Sequence, residues 1–201
     1  IRGDRRPVGG GLFDAEALVP AALAVALALI RTEGVAWVAV VLGVSVVAQW
    51  VDRAPVAGQL RFVARVAAPA GAVFAVYTAW RFQYYGTLVP NTALVKVGFG
   101  VPLLARGAKY VALFFATCVA PAAGFLAVPF AVRSERHGTW VAITLLAIAF
   151  PAYAVVVGGD FMPFGRLMVP GVPFAALLVA GGLQELVRRA RGDQSRARSV
   201  G

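Results

Sequence analysis

Two stretches of this sequence carry side chains suited to chemistry. The first is 158–170, GGDFMPFGRLMVP, which sets Asp160 behind two glycines and Arg166 six residues further on. Glycines let a backbone turn sharply and come close to a ligand. A carboxylate in such a turn can accept a proton or orient a hydroxyl. The second is 81–96, RFQYYGTLVPNTALVK, with a cation at each end, Arg81 and Lys96. A guanidinium fork or an ammonium in that position can hold a phosphate. Between them lie Tyr84 and Tyr85, whose faces suit sugar rings, and Asn91, which follows Pro90 in a turn-forming dipeptide. A third and smaller set is Arg31-Thr32-Glu33-Gly34. Arg31 and Thr32 there could add a second cationic or hydroxyl contact to the same ligand, and Glu33 is with Asp160 one of the two acids in these stretches.

Each set also has a purely structural reading. Asp160 and Arg166 can be an ion pair at a headgroup boundary, and such pairs also perturb their groups. Aromatics form the interfacial belt of any membrane protein. Cations near a bilayer meet anionic headgroups. Residues 31–34 can be a tight turn between two helices, closed by Gly34.

The elements that must position these residues are apolar. The chain has 201 residues, 60% hydrophobic and 14% charged, with a mean hydropathy of +0.79. A soluble domain of this length carries more polar residues, and here the apolar residues come in blocks of spanning length. The periodicity predicts an all-α, polytopic membrane protein with about six transmembrane helices, near 18–30, 35–50, 62–80, 110–132, 139–157 and 167–187. The site residues then fall on outer loops, among them a long one from Arg81 to about Arg106. Residues 1–187 read as the transmembrane domain, and 188–201 as a basic, disordered cytoplasmic tail.

The net charge of +10 comes from 19 Lys and Arg against 9 Asp and Glu. No basic segment is interleaved with stacking aromatics, which argues against nucleic acid. Topology accounts for the charge instead. Thirteen of the 19 basic residues fall on the side of the N-terminus and six on the other. Cytoplasmic loops collect Lys and Arg, so both termini are expected in the cytoplasm and both site loops outside a cell membrane. The single cysteine, Cys118, excludes an intrachain disulfide. With the single His137 it makes neither a zinc site nor a nucleophile–base pair. No cofactor is evident, and Asp160 is the oxygen ligand that a divalent metal would find. The chain begins at Ile1 with a basic, glycine-rich segment, which reads as the start of a fragment within a longer membrane protein.

The pattern R-x-x-YYG-x-x-x-PNT-x-x-x-K, followed by GGDFM-x-x-x-R-x-x-x-P, resembles bacterial GT-C-type membrane glycosyltransferases. It looks most like the actinobacterial terminal β-(1→2) arabinofuranosyltransferases and their relatives. Residues 31–34 are similar to the R-P-E/D-G of that group, with Thr32 in place of Pro. The resemblance covers about 31–170. It implies an outward-facing site, a polyprenyl-phosphate-linked sugar as donor, a cell-envelope glycan as acceptor, and inversion at the anomeric carbon. By position it implies Asp160 as the catalytic acid or base. Arg81, Tyr84, Tyr85, Asn91, Lys96 and Arg166 become contacts to the donor phosphate and sugar, with Arg31 and Glu33 secondary. Two departures stand out. The acidic residue such enzymes carry in their first outer loop has no counterpart here, and neither does their outer C-terminal carbohydrate-binding domain. Two other classes stay open: a transporter or lipid-handling protein, and a non-catalytic membrane subunit or inactive fragment. The spans hold few mid-depth charges and no internal repeat, which disfavours a transporter.

Overall fold

The computed structural model describes residues 15–30, 33–87, 100–118, 123–128, 137–160 and 165–199. These are helical with no strand. They fall into two compact units, 1–90 and 91–201. Four helices are long and apolar enough to cross a membrane: Gly34–Val51, Ala57–Tyr85, His137–Val156 and Val169–Arg191. The expectation of about six spans therefore stands at four among the described residues.

The first unit packs three helices on one another: α1 (Ala15–Ile30), α2 (Gly34–Val51) and α3 (Val56–Tyr85). α1 buries Ala17, Ala21, Ala24 and Ala28, one small residue per turn, while Leu18, Val19, Leu23, Leu29 and Ile30 face outward. Small residues inside and large apolar ones outside reverse the pattern of a soluble bundle. They suit helices that must approach closely in a medium as apolar as leucine. Val38 of α2 and Val66 and Ala70 of α3 complete this core, with Leu42 and Phe62 against it. Gly34, at the start of α2, lies close against α1, where a Cβ would collide with the Leu27 carbonyl.

The second unit holds α4 (Val101–Thr117), α5 (His137–Val156), a 3-10 turn (Val169–Gly171) and α6 (Val172–Ser199). α5 is its centre and packs on α4, the 3-10 turn and α6. Leu178 and Ala147 form the core, with Trp140, Ile143 and Phe174 around them. Phe150 stacks on Phe174 at 6.0 Å between ring centroids.

Three expectations are corrected. The long loop expected from Arg81 to about Arg106 is helix at both its ends, at 81–85 and 101–106, and its middle, 88–99, lies outside the described residues. α3 carries Arg81, Tyr84 and Tyr85 in its last turns and stops at Gly86 (φ 70°), whose N–H bonds Phe82 O at 2.8 Å. α4 then begins at Val101, with Pro102 in its first turn. Polarity at 81–85 marks the end of the apolar stretch, not the end of the helix. At about 1.5 Å per residue, the 30 residues of α3 reach roughly 45 Å, longer than a hydrocarbon core.

The span expected over 110–132 is not one helix. α4 ends at Cys118 (φ −118°, ψ 82°). Residues 123–128 form a separate helical turn. The tail expected to be disordered from 188 continues α6 through Ser199. Arginine is a good helix former, and Glu185 pairs with Arg188 and Arg189 one turn along, which favours the helical state.

Candidate functional site

The segment after α5 is built around its glycines. The chain leaves the helix through Val157 and Gly158. Gly159 N–H bonds Ala154 O at 2.7 Å and closes the C-terminus. Gly158 lies at φ 77° and Gly165 at φ 64°, a left-handed region that side chains rarely adopt. Both also press on α4, where a Cβ would collide with Leu103 at Gly158 and with Phe114 at Gly165. After Gly165 the chain turns at once, with Met168 N–H on Gly165 O at 2.7 Å, and enters the 3-10 turn that leads into α6.

This turn brings Asp160 and Arg166 together. Arg166 Nη2 lies 2.8 Å from Asp160 Oδ2. The Asp160 side chain is 3% exposed and that of Arg166 is 47% exposed. The approach is one of charges without hydrogen-bond angles, so Oδ2 is buried with no hydrogen-bond donor among the described residues. A buried carboxylate oxygen in that state is costly. Arg166 therefore meets Asp160 with one amino group and extends the rest of its guanidinium towards the outside.

α4 supports the segment through two side chains not singled out as site residues from the sequence. Arg106 Nε donates to Gly158 O at 2.8 Å, a cation against a carbonyl at the C-terminal end of α5. Tyr110 Oη accepts from Leu167 N–H at 3.3 Å, beside Arg166. With Leu103 and Phe114 these residues recur at helical spacing along one face of α4. That spacing is their only signal in the sequence. Nothing at 103–114 says which loop the face meets, because the contacts lie more than 50 residues away.

Below the pair is a partly open apolar pocket. Phe114, Phe115, Phe125, Pro151 and Met168 line it. Phe114 also touches Gly165, and Met168 is two residues from Arg166, so the pocket adjoins the charged turn.

The first unit carries the other candidates. Tyr84 and Tyr85, 71% and 61% exposed, stand in T-shaped contact at 4.7 Å. Trp80 stacks on Tyr84 at 5.7 Å. With Phe74 and Tyr77 they make an aromatic row at the end of α3. Arg81 is half-buried on the same turns. Glu33 is the residue before α2, with its carbonyl accepting from Trp37 N–H at 3.2 Å. That is the first hydrogen bond of the α2 ladder. Arg31, Asn91 and Lys96 lie outside the described residues. Arg81, Tyr84 and Tyr85 thus belong to one unit, and Asp160 and Arg166 to the other.

Among the described residues no three His, Cys, Asp or Glu side chains cluster as a metal site. The class defined by length, hydropathy and packing is that of a multi-helix membrane protein. No protein-family model, curated protein or solved structure matches the chain.

Proposed function

We propose that this chain belongs to a membrane glycosyltransferase of the GT-C type. It moves a sugar, arabinofuranose in the closest resemblance, from a polyprenyl-phosphate donor to a cell-envelope glycan on the outer face of a cell membrane. The observation that carries this reading is the Asp160–Arg166 pair, a buried carboxylate against a half-exposed guanidinium in a turn shaped by glycine.

The chemistry follows from that arrangement. The acceptor hydroxyl oxygen attacks the anomeric carbon, and the bond from that carbon to the phosphate oxygen breaks. Its electron pair stays on the phosphate. Arg166 receives the developing charge, as a cation placed beside the leaving phosphate stabilises it. In meeting the phosphate, Arg166 exchanges a carboxylate oxygen for a phosphoryl oxygen. Asp160, released from the pair, takes the proton of the acceptor hydroxyl. The resemblance also assigns donor contacts to Tyr84, Tyr85 and Arg81, at the end of α3 in the first unit.

The test is transfer of labelled sugar from the polyprenyl-phosphate donor in isolated membranes. Full-length wild type is compared with Asp160→Asn, Arg166→Lys and Arg81→Ala. Asp160→Asn is expected to lower transfer by about a hundredfold or more. Arg166→Lys loses the planar fork and falls by roughly tenfold. If Asp160→Asn and Arg81→Ala insert normally and transfer like wild type, these residues are interfacial scaffolding and the site is elsewhere.

A further inference from the structure

The last helix holds a second buried carboxylate, which the proposed reaction does not use. Glu185 is 6% exposed. Arg188 Nε donates to its Oε2 at 2.8 Å, and Arg188 Nη2 to its Oε1 at 2.9 Å. Arg189 Nε donates to Oε1 at 2.8 Å. The two arginine side chains are nevertheless 71% and 40% exposed. One carboxylate therefore holds two guanidiniums whose side chains remain well exposed. Groups already held in place lose less freedom on meeting a ligand, and the guanidinium plane matches two phosphate oxygens.

The position of this cluster limits what can meet it. The apolar window of the helix is Val169–Arg191, so Arg188, Arg189 and Arg191 stand at its end. In a bilayer that is the depth of the headgroups. α6 runs on to Ser199. Between 185 and 199 the sequence has five arginines against Glu185 and Asp193, a net charge of +3, and no aromatic residue. Without stacking side chains the segment is poorly suited to single-stranded nucleic acid.

We propose that this end of α6 is a binding surface for the headgroups of anionic phospholipids. Arg188 and Arg189 receive the phosphate oxygens while Glu185 holds them in register, and Arg191 adjoins. The surface is independent of the transferase reading and stands or falls without it.

The experiment is native mass spectrometry of the detergent-solubilised full chain, titrated with phosphatidylglycerol and, separately, with phosphatidylcholine. Wild type is expected to prefer phosphatidylglycerol. R188Q/R189Q is expected to lower that preference by about tenfold or more, from the loss of two cations at a membrane surface. R191Q, which leaves Glu185 with both partners, is expected to lower it by about fivefold. It decides the matter if the double variant does not fold. A wild type without preference overturns the proposal, as does R191Q with the preference intact. Displacement of phosphatidylglycerol by inorganic phosphate, or by a short RNA at equal charge, overturns it too, because the surface then reads charge and not a lipid headgroup.

Discussion

The second unit contains two arginine-paired carboxylates, and they are built in opposite ways. Glu185 is paired along a continuous helix by residues three and four positions on, and three hydrogen bonds engage both its oxygens. Nothing beyond one helical turn is needed to make it. Asp160 is paired across a turn by Arg166, through a single contact that leaves Oδ2 without a hydrogen bond among the described residues. Around that pair Gly158, Gly159 and Gly165 take left-handed conformations, and α4 presses on all three. The local pair has both carboxylate oxygens engaged by cationic donors. The tertiary pair is incompletely satisfied, and its arginine can turn to a ligand with little loss. Strain and unsatisfied groups gather where a protein acts on something else.

Three substitutions sharpen this contrast. Gly165→Ala is expected to have the largest effect on the turn. It places a Cβ at φ 64° and into the Phe114 ring, at a cost of about 2 kcal/mol or more. Thermal unfolding of the purified chain in detergent should show the loss, and a Gly165→Ala chain as stable as wild type would mean that the turn is not held as described. Tyr110→Phe removes only the acceptor for Leu167 N–H, worth about 1 kcal/mol. Its expected signature is a several-fold fall in transfer at nearly unchanged helical content by circular dichroism. Glu185→Gln should change transfer least of the three, while weakening the preference for phosphatidylglycerol. If it abolishes transfer as Asp160→Asn is expected to, the two pairs are not different in kind.

The sequence made the helices legible and their ends much less so. Runs such as 35–50 and 139–157 match α2 and α5 to within two residues at each end, because apolar content and helix coincide there. They part company at 81–85, where the chain leaves the apolar stretch but keeps its hydrogen-bond ladder until Gly86. They part again at Cys118, where the apolar stretch goes on but α4 ends. The basic run after Val187 was legible as charge, and its helix came from the pairing of arginines with Glu185. In the site, Asp160 and Arg166 were readable from the glycines around them. Arg106 and Tyr110 were not, since a contact between α4 and a turn some fifty residues later leaves no local trace.

The alanine seam of α1 carries a consequence for how this sequence can change. Ala17, Ala21, Ala24 and Ala28 set how near α1 lies to its neighbours, while the leucines and valines on its other side face outward. An exchange of one outward side chain for another of like polarity leaves the helix where it is. A single added methyl group on the seam pushes two helices apart along their whole contact, and neighbouring residues lose their packing together. Tolerance to mutation in this helix therefore runs opposite to side-chain size: the smallest residues are the ones least free to vary.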